Sequence, residues 1–200
     1  MTVRPSALLI DFDGVLRHHD VAVAAAIETR HGLEPGEILA AGLEWDRQLP
    51  AITGQIRREE WLETIAEALS VEPAVIREWD EYKGEIVPEV LRFVKDVRAA
   101  GMKVCLATNA MDDLGEVLDR HGITRQFDAV ANSSEIGVHK PAPGYFRAAC
   151  ALVGAHPKQC LFIDDADRNI RAARAAGLSA YRYTPGDDLT YARKALGLAA

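Results

Sequence analysis

Carboxylates at the end of one apolar segment suggest a site for a metal ion. Asp11 and Asp13 come directly after the apolar run at residues 7–10, and Gly14 follows them. Residues i and i+2 of an extended chain lie on the same side, so we expect the two carboxylates to lie together while Phe12 points away. Glycine permits the sharp turn that has to follow.

Three further segments supply polar groups of the kinds that hold phosphate and metal ions. They contain Thr108 and Asn109, Lys140, and the pair Asp164 and Asp165. Ligands of parallel sheets bind beyond the carboxyl ends of the strands, so we expect all these groups at one edge. Several carboxylates there would repel one another and resist ionisation. A bound Mg²⁺, which prefers oxygen ligands, would relieve that repulsion.

The elements that position these residues alternate between strands and helices. Short apolar runs predict strands at residues 7–10, 102–107, 129–131, 160–163 and 178–183. Apolar residues at helical spacing, with Pro at the start or Gly at the end, predict helices over residues 88–101, 114–122, 143–153 and 167–176. This alternation implies an α/β fold with a parallel sheet and right-handed crossovers.

Residues 17–85 interrupt this alternation. They show helical patterns at residues 21–31, 57–69 and 73–82 and no convincing strand, so we interpret them as an all-helical insertion after the first strand. Trp61, Ile65, Ala68 and Leu69 share one helical face, and we expect Trp45, Trp61 and Trp79 to pack in the core of the insertion. The terminal Ala199 and Ala200 are expected to fray.

Composition narrows the class of protein. The 200 residues are 48% hydrophobic and 26% charged, which suits one domain with a modest insertion. A net charge of −7 argues against nucleic acid as a partner. The chain has no apolar run of about 18 residues, so we expect no membrane partner. Three cysteines without a C-x-x-C motif, in a sequence without a signal-peptide pattern, indicate buried, reduced thiols and a cytoplasmic protein. We expect this protein to be a monomer or a homodimer.

Four ordered motifs give the chain a resemblance to the haloacid dehalogenase (HAD) superfamily. The segments that carry it are Leu9 to Leu16 (motif I), Leu106 to Asn109 (motif II), Gly137 to Pro141 (motif III), and Leu161 to Asp165 with Asn169 and Gly177 (motif IV). The resemblance implies a Rossmann-like core domain formed by residues 1–16 and 86–200. It also implies that residues 17–85 form a C1-type cap over the active site, with Trp45, Arg47, Gln48 and Gln55 as candidates to face the core.

The resemblance also implies a role for each polar residue. Asp11 would be the nucleophile that forms an aspartyl phosphate, and Asp13 the general acid and base. Thr108, Asn109 and Lys140 would bind the phosphoryl oxygens. Mg²⁺ would be held by Asp11, the backbone carbonyl of Asp13 and one motif IV acid. We expect that acid to be Asp165, with Asp164 in the outer shell, although adjacent positions leave the reverse open. His139 and Asn169 are more typical of loop and helix-start residues.

The resulting hypothesis is a Mg²⁺-dependent phosphatase for a small phosphorylated metabolite, such as a sugar phosphate. Three alternatives remain at this point. A haloacid dehalogenase would need Asp11 but neither Asp13 nor the Asp164–Asp165 pair. A phosphomutase would share every core residue, and a non-catalytic binding domain would be expected to lack one of them.

Overall fold

Seven strands form one parallel sheet and a small antiparallel ribbon in the structure, a computed structural model that describes residues 4–198. The strands are β1 (Ala7–Ile10), β2 (Arg17–His18), β3 (Glu85–Ile86), β4 (Lys103–Thr108), β5 (Ala129–Asn132), β6 (Cys160–Asp164) and β7 (Ser179–Arg182). The main sheet has the order β5-β4-β1-β6-β7, with every neighbouring pair parallel. The predicted α/β fold is therefore confirmed, and each predicted strand is present with its ends shifted by at most one residue.

Eleven α-helices in the described part of the chain surround or extend this sheet. They are α1 (Val21–Arg30), α2 (Glu37–Leu43), α3 (Trp45–Ile52), α4 (Arg58–Leu69), α5 (Pro73–Glu81), α6 (Pro88–Ala99), α7 (Leu114–Arg120), α8 (Ser133–Ile136), α9 (Pro143–Leu152), α10 (Asp167–Ala175) and α11 (Thr190–Leu196). The sequence patterns did not predict α2, α3, the short α8 or the C-terminal α11. None of these four helices buries more than one large apolar side chain, so no apolar stripe stands out in the sequence.

The sheet is buried on both faces because successive side chains of a strand point to opposite sides. Leu8 and Ile10 of β1 join one apolar cluster, whereas Leu9 joins a second cluster that contains Phe146 and Phe162. The three cysteines are free and buried, as expected. Burial raises the pKa of the Cys105 thiol to about 12, because the low-dielectric core disfavours a thiolate.

Helices α1–α5 form the predicted insertion, with an apolar core of their own that includes Ile38, Trp61 and Ile65. Trp79 packs against this core, in agreement with the prediction. The prediction for Trp45 is wrong: its side chain is 48% exposed and its indole meets the His139 ring edge-on, with centroids 5.4 Å apart.

The buried face of α4 also differs from the predicted one. Ala68 is exposed, and Leu62 and Ala66 are buried in its place beside Trp61 and Ile65. The reason is that the apolar face of α4 is wide enough to include the residues directly after Trp61 and Ile65, and it is centred between these two pairs, away from Ala68.

A two-stranded ribbon joins the insertion to the sheet. Arg17 of β2 pairs with Ile86 of β3, and His18 pairs with Glu85. The expectation of no strand within the insertion is thus wrong at its two ends, because strands of two residues are too short to show an alternating pattern. Residues 199 and 200, for which fraying was expected, lie outside the described residues. Between residues 4 and 198, no helix has the length and apolar character needed to cross a bilayer.

Candidate active site

A buried lysine lies between two carboxylates at the carboxyl edge of the main sheet. Lys140 Nζ is 2.8 Å from Asp11 Oδ2 and 2.7 Å from Asp164 Oδ2, and none of the three residues is more than 6% exposed. The parallel register of Ile10 with Ile163 sets Asp11 beside Asp164, one residue beyond the pair. Lys140 arrives from the loop between α8 and α9. The structure therefore brings together three residues that are distant in sequence.

The two carboxyls share one ammonium, and their pKa values are shifted in opposite directions. Burial raises the pKa of Asp11 well above its ordinary value, and the Asp164 charge adds to this, while Lys140 opposes it. Burial also acts to raise the pKa of Asp164, but the Lys140 charge and several hydrogen bonds outweigh it, so that pKa is lowered. The facing carboxylates likewise overcome the effect of burial on Lys140 and raise its pKa. A further cation near the pair would therefore favour the ionised form of both carboxyls.

The donor set next to this pair fits a hard divalent cation. One carboxylate oxygen from each of Asp11, Asp164 and Asp165 lies within 4.8 Å of the others. Burial, and then the Asp164 charge, raises the pKa of Asp165. Oxygen atoms alone form this group, which is the ligand type that Mg²⁺ prefers. The side chain of Asp13 is outside the group.

The carboxylates of Asp164 and Asp165 differ in their partners. Asp164 accepts hydrogen bonds from Lys140, from the Ala166 N–H at 2.8 Å, and from Asn169 Nδ2 at 3.0 and 3.1 Å. Its lone pairs are therefore largely committed to the protein. Asp165 is partly exposed and lies against Gly14, where a Cβ atom would be only 2.4 Å from Asp165 Oδ2. Gly14 thus keeps the space that this carboxylate fills.

Two asparagines hold the buried ion pairs in place. Asn169 lies in the first turn of α10 and binds Asp164, the hydrogen-bonding role expected for it. Asn109 was expected to contribute a backbone N–H, and its side chain has a further role, since it binds the Lys140 backbone. Asn109 Oδ1 accepts from Lys140 N at 2.7 Å, and Asn109 Nδ2 donates to Lys140 O at 3.0 Å. No pattern in the sequence links residues 109 and 140, since the contact depends on two loops meeting.

Asp13 is held by a residue that the sequence motifs did not single out. Arg17 Nε donates to Asp13 Oδ1 at 2.7 Å and Arg17 Nη2 donates to Asp13 Oδ2 at 3.0 Å. The same guanidinium lies over the Phe12 ring, 4.2 Å from its centroid, and donates to the Lys83 carbonyl. Arg17, which is part of β2, therefore links Asp13 to Lys83, two residues before β3. The i, i+4 rule for opposite charges applies to helices, and residues 13–17 form a turn that leads into β2, so no local rule predicted this pair.

The remaining predicted residues have partners in different parts of the molecule. Thr108 is buried at the end of β4, where its carbonyl accepts from Tyr145 at 3.3 Å. Trp45 reaches the loop of Lys140 through His139. Arg47 donates to the Ala41 carbonyl and Gln55 donates to Thr53, so both of these candidates are hydrogen-bonded within the insertion.

A cavity of about 730 Å³ lies between the insertion and the core. Asp13 and Asn109 form part of its wall on the core side, and Gln48 forms part of the wall on the insertion side. Asp11, Lys140, Asp164 and Asp165 do not line the cavity, which approaches their cluster through Asp13 and through Asn109, the partner of the Lys140 backbone. Its volume is large enough for a small metabolite.

A sequence profile for haloacid dehalogenase-like hydrolases matches residues 5–177, which include all the residues of this cluster. The chain belongs to this family. Among curated relatives, the phosphoserine phosphatase of Thermus thermophilus is 31% identical over 141 residues, which are 66% of this chain and 56% of the relative. The fructose-1-phosphate phosphatase of Escherichia coli is 38% identical over 78 residues, 38% of this chain and 42% of the relative. The matches thus span about half the length of these relatives.

Solved structures of the family share the fold. A HAD family enzyme of Bacteroides thetaiotaomicron, in complex with magnesium and inorganic phosphate, superposes with a TM-score of 0.78. It is 24% identical, and the superposition covers 94% of this chain and 98% of the other. At this identity, the likeness establishes the fold of the HAD-like hydrolase and leaves its substrate open.

Proposed function

We propose that this HAD-like hydrolase is a Mg²⁺-dependent phosphatase that acts on a small phosphorylated metabolite, such as a sugar phosphate, through an aspartyl-phosphate intermediate. The observation that carries the proposal is the buried Lys140 ammonium in contact with both Asp11 and Asp164, beside the partly exposed carboxylate of Asp165. Such a cluster places positive charge where a phosphoryl group would transfer, and phosphoryl transfer depends mainly on positioning and charge stabilisation.

In this proposal Asp11 is the nucleophile. Its Oδ atom attacks phosphorus as the bond from phosphorus to the leaving oxygen breaks, and one difficult displacement becomes two easier ones. Asp13 supplies the proton that the leaving oxygen needs, and then takes a proton from the water that hydrolyses the acyl phosphate. That water attacks phosphorus, which returns Asp11 as a carboxylate and releases inorganic phosphate.

Two kinds of group would bind the phosphoryl oxygens. Lys140 supplies charge, and its own position is set by Asp164 and by the two hydrogen bonds between its backbone and the Asn109 side chain. The Thr108 hydroxyl and the Asn109 backbone N–H would donate to the phosphoryl oxygens from the end of β4. Charge and hydrogen bonds from a buried, preorganised frame stabilise the transition state most, because the frame does not have to rearrange.

Asp11, Asp165 and the backbone carbonyl of Asp13 would hold Mg²⁺, with Asp164 in the outer shell. The ligand set is the one that the family resemblance implies, and the hydrogen bonds that Asp164 already accepts support its place in the outer shell. The ion would supply positive charge that lets the clustered carboxyls ionise and neutralises phosphate oxygens. Residues 17–85 would act as a cap that excludes water from the cavity.

The test is phosphate release from p-nitrophenyl phosphate and from a panel of sugar phosphates, with and without Mg²⁺. We expect Mg²⁺-dependent release that a chelator abolishes. The Asp11→Asn variant should lose activity by at least about a thousandfold, because it lacks the nucleophile. The exposed Asp119→Asn variant is a control for the loss of one carboxylate and should keep wild-type activity. Full activity of Asp11→Asn would contradict the proposed intermediate.

The same panel separates the alternatives. Chloride release from 2-chloropropionate without phosphate release would identify a dehalogenase. Phosphate that migrates within a sugar without being released would identify a mutase. A folded chain that turns over none of these compounds would favour a binding domain.

A further inference from the structure

The cavity beside Asp13 is where a leaving group would lie if the proposed function holds. Asp13 has to reach the leaving oxygen, and the cavity wall includes Asp13 itself. On the opposite side of the cavity, α1 and α2 contribute Val21, Leu39 and Leu43, three apolar side chains that are 47–77% exposed. A leaving group that filled the cavity would cover this apolar surface.

Three lysine or arginine side chains line this cavity within the described residues 4–198, and each already has carboxylate partners. The first is Arg17, which makes the two-point ion pair with Asp13 at 2.7 and 3.0 Å. The Arg17 side chain is 12% exposed and the Asp13 side chain is 47% exposed, so solvent reaches the pair from the carboxylate side. A substrate anion would have to compete with Asp13 for this guanidinium.

The other two cations, Arg58 and Lys83, form a closed network with Asp80 and Asp113. Arg58 is paired with Asp80, and its Nε lies 3.2 Å from Asp113 Oδ2. Lys83 Nζ lies 2.8 Å from Asp80 Oδ2 and 3.5 Å from Asp113 Oδ2. All four side chains are only 15–22% exposed. Two cations and two carboxylates therefore neutralise one another in a partly buried wall.

The remaining ionisable groups add no positive charge. Asp20 and Glu28 also line the cavity, and they accept backbone hydrogen bonds from Ala22, Gly36 and Ile38. The wall therefore has five carboxylates to its three lysine and arginine cations. Burial, and then the Arg17 charge, lowers the pKa of His19, which favours the neutral imidazole at pH 7.

We propose that this cavity selects phosphate monoesters whose leaving group carries no second anionic group. This inference rests on the proposed phosphatase function and narrows its substrate class. A carboxylate or second phosphate on the leaving group would lose hydration and would meet cations that are already paired. Neutral groups, including sugar hydroxyls, would meet apolar side chains and hydrogen-bonding groups such as Gln48. The selectivity thus comes as much from the unfavourable binding of an anionic leaving group as from the favourable binding of a neutral one.

The experiment compares two aryl phosphates of nearly the same shape, 4-carbamoylphenyl phosphate and 4-carboxyphenyl phosphate, with Mg²⁺. We expect kcat/KM to be at least about tenfold higher for the neutral amide than for the carboxylate. Asp113→Asn and Asp80→Asn each leave one cation of the network in excess. Each should reduce that ratio by about threefold, mainly through a lower KM for the carboxylate. Asp119→Asn, which lies outside the cavity, should leave the ratio unchanged.

The outcomes distinguish this inference from the function on which it rests. Equal kcat/KM values, or a preference for the carboxylate, would overturn the inference and leave the phosphatase intact. A ratio that neither Asp113→Asn nor Asp80→Asn reduces would also contradict it, because the paired cations would then not be the cause. Failure to hydrolyse either ester, by a folded chain with Mg²⁺, would overturn the phosphatase proposal and the inference together.

Discussion

Lys140 Nζ lies 2.8 Å from Asp11 Oδ2 within a site from which solvent is almost excluded. The ammonium also contacts Asp164, so one positive charge serves two carboxyls. A buried pair of this kind contributes little net stability while intact, but it is costly to break, because the partner left behind has lost its hydration. The same contact therefore governs both stability and the proposed chemistry.

Loss of this ammonium should destabilise the fold. We expect Lys140→Met to lower the free energy of unfolding by about 3 kcal/mol, since it leaves buried carboxyls without their counter-ion. The measurement is urea denaturation in the presence of a chelator. Lys103→Met is the matched control: Lys103 also pairs with a carboxylate, but its side chain is 62% exposed, so its loss should cost less than about 1 kcal/mol. Equal costs for the two variants would refute the argument.

A methyl group at position 14 should disturb the proposed metal site. Gly14 has a φ of +79°, and an added Cβ would meet Asp165 Oδ2 at 2.4 Å. We expect Gly14→Ala to raise the Mg²⁺ concentration for half-maximal activity by about tenfold or more, because Asp165 would have to move. Gly32→Ala has nearly the same backbone strain, with a φ of +76°, but nothing lies within 4 Å of its Cβ. It should destabilise the fold by about 1 kcal/mol and leave the Mg²⁺ requirement unchanged.

Asp128 should make the stability of the core depend on pH. Burial acts to raise its pKa, but hydrogen bonds from the Val104 N–H and from Lys103 outweigh this, so the pKa is lowered from 3.8. A lowered pKa in the folded state means that the stabilisation is complete above the unfolded-state value and is lost as the pH falls through the folded-state value.

Urea denaturation of the wild type and Asp128→Asn at pH 7 and at about pH 3 tests this. We expect the variant to be less stable by about 1 kcal/mol at pH 7, with a smaller difference at the acidic pH. A difference of the same size at both pH values would show that the ionised carboxylate is not responsible.

Much of the sheet and the location of the site could be predicted from local patterns. Buried parallel strands appear as continuous apolar runs, and polar residues placed directly after such runs have to lie at one edge of the sheet. This reasoning predicted that Asp11, Thr108 and Asp164 would approach one another. The ribbon of β2 and β3 gave no such pattern because its strands have two residues each. Helix α11 gave none because the residues it buries are just Ala192 and Leu196.

The details of the site depend on contacts between segments that are far apart in the sequence. Trp45 was expected to pack in the core of the insertion because it is aromatic, whereas the family resemblance made it a candidate to face the sheet domain. Its contact with His139 agrees with the second expectation and not with the first. The side chain of Asn109 binds the backbone of Lys140, 31 residues away. Local sequence contains no signal for either contact, because each one depends on how the insertion and the loops come together.

The chemical groups at the ends of the strands could be derived from the amino-acid sequence, because side chains alternate in every strand and the alternation of strands with helices implies parallel pairing. How those groups share their charges became known from the folded chain alone. Lys140 contacts both Asp11 and Asp164, Arg17 is paired with Asp13, and Arg58 and Lys83 are paired with Asp80 and Asp113. Electrostatic pairing depends on distance and burial in space, and neither quantity is defined until the chain has folded.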